Sequence, residues 1–245
     1  MKIDFFQFNN VGVVPGHESV GIVKAVGEQV EQEGRIKVGM RVGFGYQFTS
    51  CGSCETCDAK FENLCDKSQP FAQAPIGGGY QTGVVWDSKF VFPIPDSLQS
   101  IHAAPLLCAG ATVFTALYRF GDTPFRVKGK PMICAVLGLG GLGHLAIQFA
   151  KKMGYHVVAL SSSANKEKEC LSLGADEFHL HNQEGASEKL AGKFDIILNT
   201  ISGDVDVEKF IKMLRPYGKI CLLGLRKYSL QWFTITFSNS TQSNH

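Results

Sequence analysis

The residues of this sequence that could do chemistry gather in two stretches. The first is CGSCETCDAKFENLC, which holds Cys51, Cys54, Cys57 and Cys65, four of the eight cysteines in the chain. Three chemistries compete for them. Disulfides between such close neighbours strain the bond geometry. An iron-sulfur site shares the first two C-x2-C spacings, but seven residues separate Cys57 from Cys65, and Asp66 stands where that pattern places proline. Four thiolates around one tetrahedral Zn(II) fit the spacing and the turn residues Gly52, Ser53 and Asp58. A zinc held that way has no open position, so it staples a lobe and performs no reaction.

The second stretch is MICAVLGLGGLGHLAIQFAKKMG. Residues 132–137 form a continuous apolar run, as a parallel strand buried on both faces does. Gly138, Leu139, Gly140, Gly141, Leu142 and Gly143 follow as G-x-G-x-x-G. Leu142, Leu145, Ala146, Phe149 and Met153 then recur at helical spacing, with Lys151 and Lys152 near the end and Gly154 as the stop. Strand, glycine turn and amphipathic helix in that order predict a dinucleotide site. Its glycines let the backbone approach a pyrophosphate, and the helix N-terminus offers free N–H groups. An acidic residue about 20 positions after the first glycine would bind the ribose of NAD. The sequence there reads HVVALSSSANKEK. Ser161, Ser162 and Ser163 offer hydroxyls, Lys166 offers a cation, and Glu167 arrives too late, so NADP is favoured. Helix capping by one of the serines is the plainer reading of the same residues.

Elements must position these residues. After the glycine turn the chain alternates, with EFHLH, FDIILNT and KICLLGL as strands and a helix over about 205–214. This predicts a doubly wound parallel sheet that stops at five strands, followed by a polar tail over 229–245. Upstream, PGHESVGIVKAVGEQV and VGMRVGFGY are rich in Gly and Val and suggest a small twisted β barrel. His17 and Cys108 lie in that half; by composition alone one is a satisfied polar group and the other a small core residue. The 245 residues are 44% hydrophobic and 19% charged with a formal net charge of +2. That is a globular composition, without the basic footprint of a nucleic-acid binder and without an apolar run of the roughly 18 residues a membrane span needs. MKIDFFQFNN lacks a secretory h-region, so a reducing cytoplasm is expected, where clustered cysteines hold metal.

PGHESVGIV, CGSCETCDAKFENLC, GGGYQTGVV, PLLCAGATV, GLGGLGHLAIQFAKKMG and SSSANKEKE occur in the order and approximate spacing of zinc-dependent medium-chain alcohol dehydrogenases. The sequence resembles their NADP-dependent, cinnamyl-alcohol-dehydrogenase-like branch from about Val14 to about Leu230. The resemblance implies an α/β protein: a partial GroES-like β-barrel catalytic lobe over 1–110 and a Rossmann domain over 111–228 that lacks its sixth strand. It implies that Cys51, Cys54, Cys57 and Cys65 bind the structural zinc. His17 and Cys108 match two ligands of a catalytic zinc, and Glu18 the acid beside it. Thr112, Gly138 to Gly143, Ser161 to Lys166, Thr200 and Gly224 match positions that touch NADP(H). The implied partner is a small alcohol or aldehyde, oxidised or reduced by hydride transfer beside a Lewis-acidic metal; neither nucleic acid nor membrane is implied. The family's first catalytic ligand, a cysteine upstream of Gly-His-Glu, has no counterpart among the 16 residues before His17, and the strand through which the family forms homodimers is not matched. The expectation is therefore double: a dehydrogenase, or a non-catalytic remnant that keeps the structural zinc and a weakened nucleotide site.

Overall fold

Apolar runs need both faces covered, and the second half of the chain supplies them in ICAVL, VVAL and IIL. The computed structural model describes residues 13–74, 77–122, 129–203, 205–224 and 234–236. They divide into two compact units, one ending at Cys108 and the other starting at Ala109.

In the first unit the elements are short: β1 (Ser19–Ile22), α1 (Glu28–Glu33), β2 (Arg41–Phe44), β3 (Gln47–Thr49), α2 (Glu55–Asp58), β4 (Gln69–Pro70), β5 (Val91–Pro93) and α3 (Ser100–Ala103). β1, β2 and β5 pair antiparallel in that order, and β3 pairs with β4 in a separate ladder. One core cluster here is small, Ile36, Val42 and Val91 with Val23, Val26, Val30, Met40 and Trp86 packed around them. This is the partial barrel the Gly- and Val-rich sequence predicts, with its apolar residues spread thinly.

The second unit runs α4 (Ala109–Phe120), β6 (Ile133–Leu137), α5 (Gly141–Lys152), β7 (His156–Ser161), α6 (Glu167–Ser172), β8 (Glu177–Leu180), α7 (Ala186–Lys189), β9 (Phe194–Asn199), α8 (Val207–Ile211), β10 (Leu214–Leu222) and β11 (Thr234–Thr236). The sheet order is β11-β10-β9-β6-β7-β8, and β6 to β10 are mutually parallel. All six residues of β9 are buried, as a central strand covered on both faces requires. Ala135, Leu137, Val158, Leu160, Phe194, Ile197 and Ile220 form one core with Phe210 and Met213. Asp195 is the charged residue in that strand, and it is fully partnered: Arg215 Nη1 donates to Oδ1 at 3.0 Å and the Ile133 N–H to Oδ2 at 2.7 Å.

Two boundaries differ from the sequence expectation. The parallel part ends at five strands as predicted, but Thr234–Thr236, inside the stretch expected as a polar tail, pairs antiparallel with Lys219–Cys221. And β10 begins at Leu214, where a helix was expected to end, with an irregular register between Leu214 and Lys219. Tyr217 sits in that irregularity at φ 60°. Pro216 and Gly218 read as loop residues in sequence, and here they mark a bulge within a strand.

Candidate functional site

The chain direction in the sheet reverses its build order between β6 and β9: β7 and β8 are added on one side, β9 and β10 on the other. Ligands of open α/β sheets bind at the carboxyl ends of strands flanking such a switch. β6 ends there in Gly138 and β9 in Thr200. Gly138 has φ 93°, and a β-carbon on Gly143 would stand 2.1 Å from the Gly138 carbonyl oxygen, so those two glycines are demanded by the turn itself. Gly140 and Gly141 are different, because a β-carbon on either would meet nothing within 4 Å. They leave the mouth of the turn open at the start of α5, whose N-cap position, Gly140, provides no side-chain cap. Free N–H groups, a helix dipole and empty space fit a pyrophosphate.

Other residues expected at the cofactor take several parts. The Thr200 hydroxyl donates to the carbonyls of Leu137 and Gly138, at 2.9 and 3.2 Å, and so ties the end of β9 to the glycine turn. Gly224 packs against the Ile201 carbonyl, 2.0 Å from where its β-carbon would be. Leu139 and Leu142 are half-buried within the turn and the first turn of α5, and Thr112 is half-buried on α4. Ser161 is turned inward: its Oγ donates to the Ser163 carbonyl at 3.2 Å and accepts from the Ser163 N–H at 3.1 Å. Ser163 Oγ donates to Asn165 at 2.8 Å. Ser162 is exposed, and Lys166 is paired with Glu169 at 3.1 Å. Of the three serines, Ser161 therefore shapes the turn after β7, which the string SSS alone does not reveal.

In the first unit, the chain leaves β3, turns at Gly52 (φ 69°) and enters the single-turn α2 with Cys54 at its N-cap and Cys57 inside it. A 3-10 turn over Glu62–Leu64 then delivers Cys65. The four Sγ atoms all lie within 4.8 Å of one another, with Cys51 3.9 Å from Cys57 and 3.6 Å from Cys65. None is disulfide-bonded. The Ser53 N–H, together with the neighbouring thiols, lowers the Cys51 thiol to about 6, and the Thr56 hydroxyl heads the contributions that lower Cys54. Four convergent sulfurs, two of them with lowered thiol pKa, fit a tetrahedral zinc. A helix of one turn does not stand alone in water, so the metal would also hold the lobe.

His17 precedes β1, stacked on Phe71 at 5.3 Å between ring centroids and edge-on to Tyr46 at 5.6 Å. Burial lowers its pKa, against the Glu18 carboxylate, which raises it. Cys108 ends the same unit; burial first, and then Glu18, push its thiol up to about 11. It is brought in by close backbone packing, since a β-carbon on Gly45 would stand 2.4 Å from the Leu107 carbonyl oxygen. Glu18 thus acts electrostatically on both residues. Among the described residues, however, the four cysteines are the one set that brings three or more metal donors within 4.8 Å; His17, Glu18 and Cys108 do not close around a point. Tyr46 and Phe71, which frame His17, and Ser50 and Thr56, which touch the cysteine sulfurs, went unmarked in the sequence because nothing in their type or spacing sets them apart.

Comparison with known proteins shows the family. Residues 2–96 match the family described as alcohol dehydrogenase GroES-like domain, and residues 141–243 the family described as zinc-binding dehydrogenase. A probable formaldehyde dehydrogenase of Bacillus subtilis is 42% identical over 219 residues, covering 86% of this chain and 60% of that protein. The NADP-dependent alcohol dehydrogenase C 1 of Mycolicibacterium smegmatis is 40% identical over 230 residues, covering 91% and 63%. The structure of a cinnamyl alcohol dehydrogenase from Sorghum bicolor superposes with a TM-score of 0.74 at 35% identity, covering 89% of this chain and 62% of that one. The chain spans about three fifths of the length of the curated relatives it matches.

Proposed function

The chain belongs to the zinc-binding dehydrogenase family, and from that premise we propose that it is an oxidoreductase interconverting small alcohols and aldehydes with NADP(H). The observation that carries the reading is the open glycine turn at the sheet's switch point, where Gly140 and Gly141 leave room for a pyrophosphate. In this reading Gly138 to Gly143 hold the pyrophosphate, and Ser162 with Lys166 receives a 2′-phosphate; Lys166 must then exchange Glu169 for the phosphate. Thr200 braces the turn from β9. The bound nicotinamide would supply a hydride donor or acceptor, and a metal on His17 and Cys108 would supply a Lewis acid. Burial favours the neutral form of His17, in which an imidazole ligates, and Phe71 and Tyr46 pack against its ring. Cys108 gives up its proton only to a strong cation, given its raised pKa.

A cytoplasmic location is part of the proposal; among the described residues no single helix is long and apolar enough to cross a membrane. Among the described residues no closed three-donor set surrounds His17, which favours a second reading, a protein that keeps the cysteine-bound zinc and a nucleotide site without turnover. Steady-state reduction of an aromatic aldehyde with NADPH separates the two. Turnover that disappears in His17→Ala supports the dehydrogenase, and a folded, zinc-loaded sample that binds NADPH without turnover supports the alternative. Fluorescence titration tests the cofactor: NADPH should bind more tightly than NADH, and Lys166→Ala should weaken NADPH selectively. Equal affinities would remove the NADP assignment.

A further inference from the structure

We propose that the hydroxyls of Ser50 and Thr56 belong to the four-cysteine metal site, donating hydrogen bonds to the metal-bound sulfurs of Cys57 and Cys54 and so slowing loss of the ion. The proposal rests on the zinc reading of that cluster. Thr56 Oγ1 lies 3.2 Å from Cys54 Sγ, and Ser50 Oγ lies 3.6 Å from Cys57 Sγ. Either atom of the Cys54–Thr56 pair can donate, whereas the Cys57 thiol donates to the Ser50 hydroxyl oxygen. Once a cation has replaced the thiol protons, sulfur can only accept, and the hydroxyl becomes the donor.

Four thiolates on one divalent ion carry negative charge in excess, which must be met by donors around the sulfurs. The backbone supplies some of them. Lys67 N–H donates to Cys65 Sγ at 3.3 Å, the Ser53 N–H serves Cys51 and the Cys57 N–H serves Cys54. For Cys57 the oxygen partner is the Ser50 hydroxyl, which accepts from the thiol and turns donor once the thiol proton is lost. Cys57 is 4% exposed, so water has little access to replace a lost hydroxyl there. Cys54 is half-buried and already has a backbone donor. The two hydroxyls are therefore unequal, and Ser50 carries the larger share.

The test uses the whole chain loaded with zinc, and in parallel with cobalt(II), whose sulfur-to-metal charge-transfer band reports electron density on the sulfurs. In competition with a chelating dye, Ser50→Ala should loosen zinc by about tenfold or more, within the range typical of lost outer-shell partners. Its cobalt band should move to lower energy, and Ser50→Thr should restore both. Thr56→Val, which keeps the side-chain shape, should loosen zinc only a few-fold with a smaller band shift in the same direction. Wild-type affinity and band position in Ser50→Ala would overturn the proposal, as would a variant that is merely less heat-stable with its band unmoved. If Ser50→Ala does not fold, Thr56→Val decides: a shifted band supports the proposal and an unshifted one overturns it. Failure of the wild-type chain to take up either metal is a different result, which removes the zinc reading itself and this proposal with it.

Discussion

The two units solve the same problem with different materials. In the second, the central strands β6, β7 and β9 of a five-stranded parallel array are buried almost throughout, and Phe194, Ile196, Ile197 and Leu198 are all at 0% exposure. In the segment of the first that holds the cysteines, a one-turn helix, a 3-10 turn and a two-residue strand surround four sulfurs. One region is held by apolar area removed from water, at about 25 cal/mol per Å2, and the other gathers four sulfurs that fit a metal. The difference teaches where each is vulnerable. A sheet loses stability in proportion to the atoms deleted from it, whereas a metal lobe loses nearly everything at one step.

Metal removal should break the comparison most visibly. Structural zinc contributes on the order of 10 kcal/mol in small domains, more than the cysteine lobe's own packing can replace. Chelation, or Cys57→Ser, is expected to abolish amide protection over residues 50–65 while β6 and β9 keep theirs. Hydrogen exchange followed by mass spectrometry reads both regions in one sample. Equal loss in the two would mean that the metal supports the sheet as well, and the contrast would fail.

Ile197→Ala is the reciprocal change. Ile197 is fully buried at the centre of the sheet core, and truncation there should cost about 4 kcal/mol through lost transfer energy and a cavity. Chemical denaturation should register the loss with zinc content unchanged. A smaller effect, about 3 kcal/mol, is expected of Asp195→Ala, which leaves the Arg215 guanidinium and the Ile133 N–H without their buried acceptor. Asp195→Asn should recover part of it by keeping an acceptor oxygen. If Asp195→Ala proved neutral, this buried carboxylate would have no part in joining β6, β9 and β10.

The same contrast decides what was legible in the sequence. Periodicity reports burial, so ICAVL, HVVAL and FDIILN declared themselves, and the glycine turn followed from what stood between strand and helix. Ligand spacing reports coordination, so the four cysteines declared themselves too. Features set by what a side chain meets in space stayed hidden. Ser161 looked like Ser162 until its hydroxyl was found bonded to its own turn. The bulge at Tyr217 read as a helix-to-strand loop, because Pro216 and Gly218 are ambiguous between the two. His17 and Cys108, 91 positions apart in the numbering, were singled out only by family resemblance, and the packing that brings them under one carboxylate depends on the close approach of Leu107 to Gly45.

The smallest predicted effect sharpens the comparison through pH. Glu177, at the start of the edge strand β8, accepts from His179 at 2.9 Å, Lys193 at 2.6 Å and His156 at 2.7 Å. The His179 and Lys193 bonds lead the causes that hold its carboxyl down to about 2. An unfolded glutamate titrates near 4.3. Because the folded value is depressed, the stabilisation is fully present above about pH 4.3 and is lost as pH falls through about 2. Its side chain is one third exposed, so solvent screening reduces the contribution to about 1 kcal/mol. Glu177→Gln should therefore lower the stability of the sheet by that amount at neutral pH and flatten its acid limb. It should leave the zinc lobe untouched, since acid unloads that site by a separate route, protonation of the cysteine sulfurs. Denaturation curves between pH 2 and 7, read in parallel with metal release, distinguish the two limbs. An acid limb of unchanged steepness in Glu177→Gln would show that the edge-strand cluster does not contribute to acid stability.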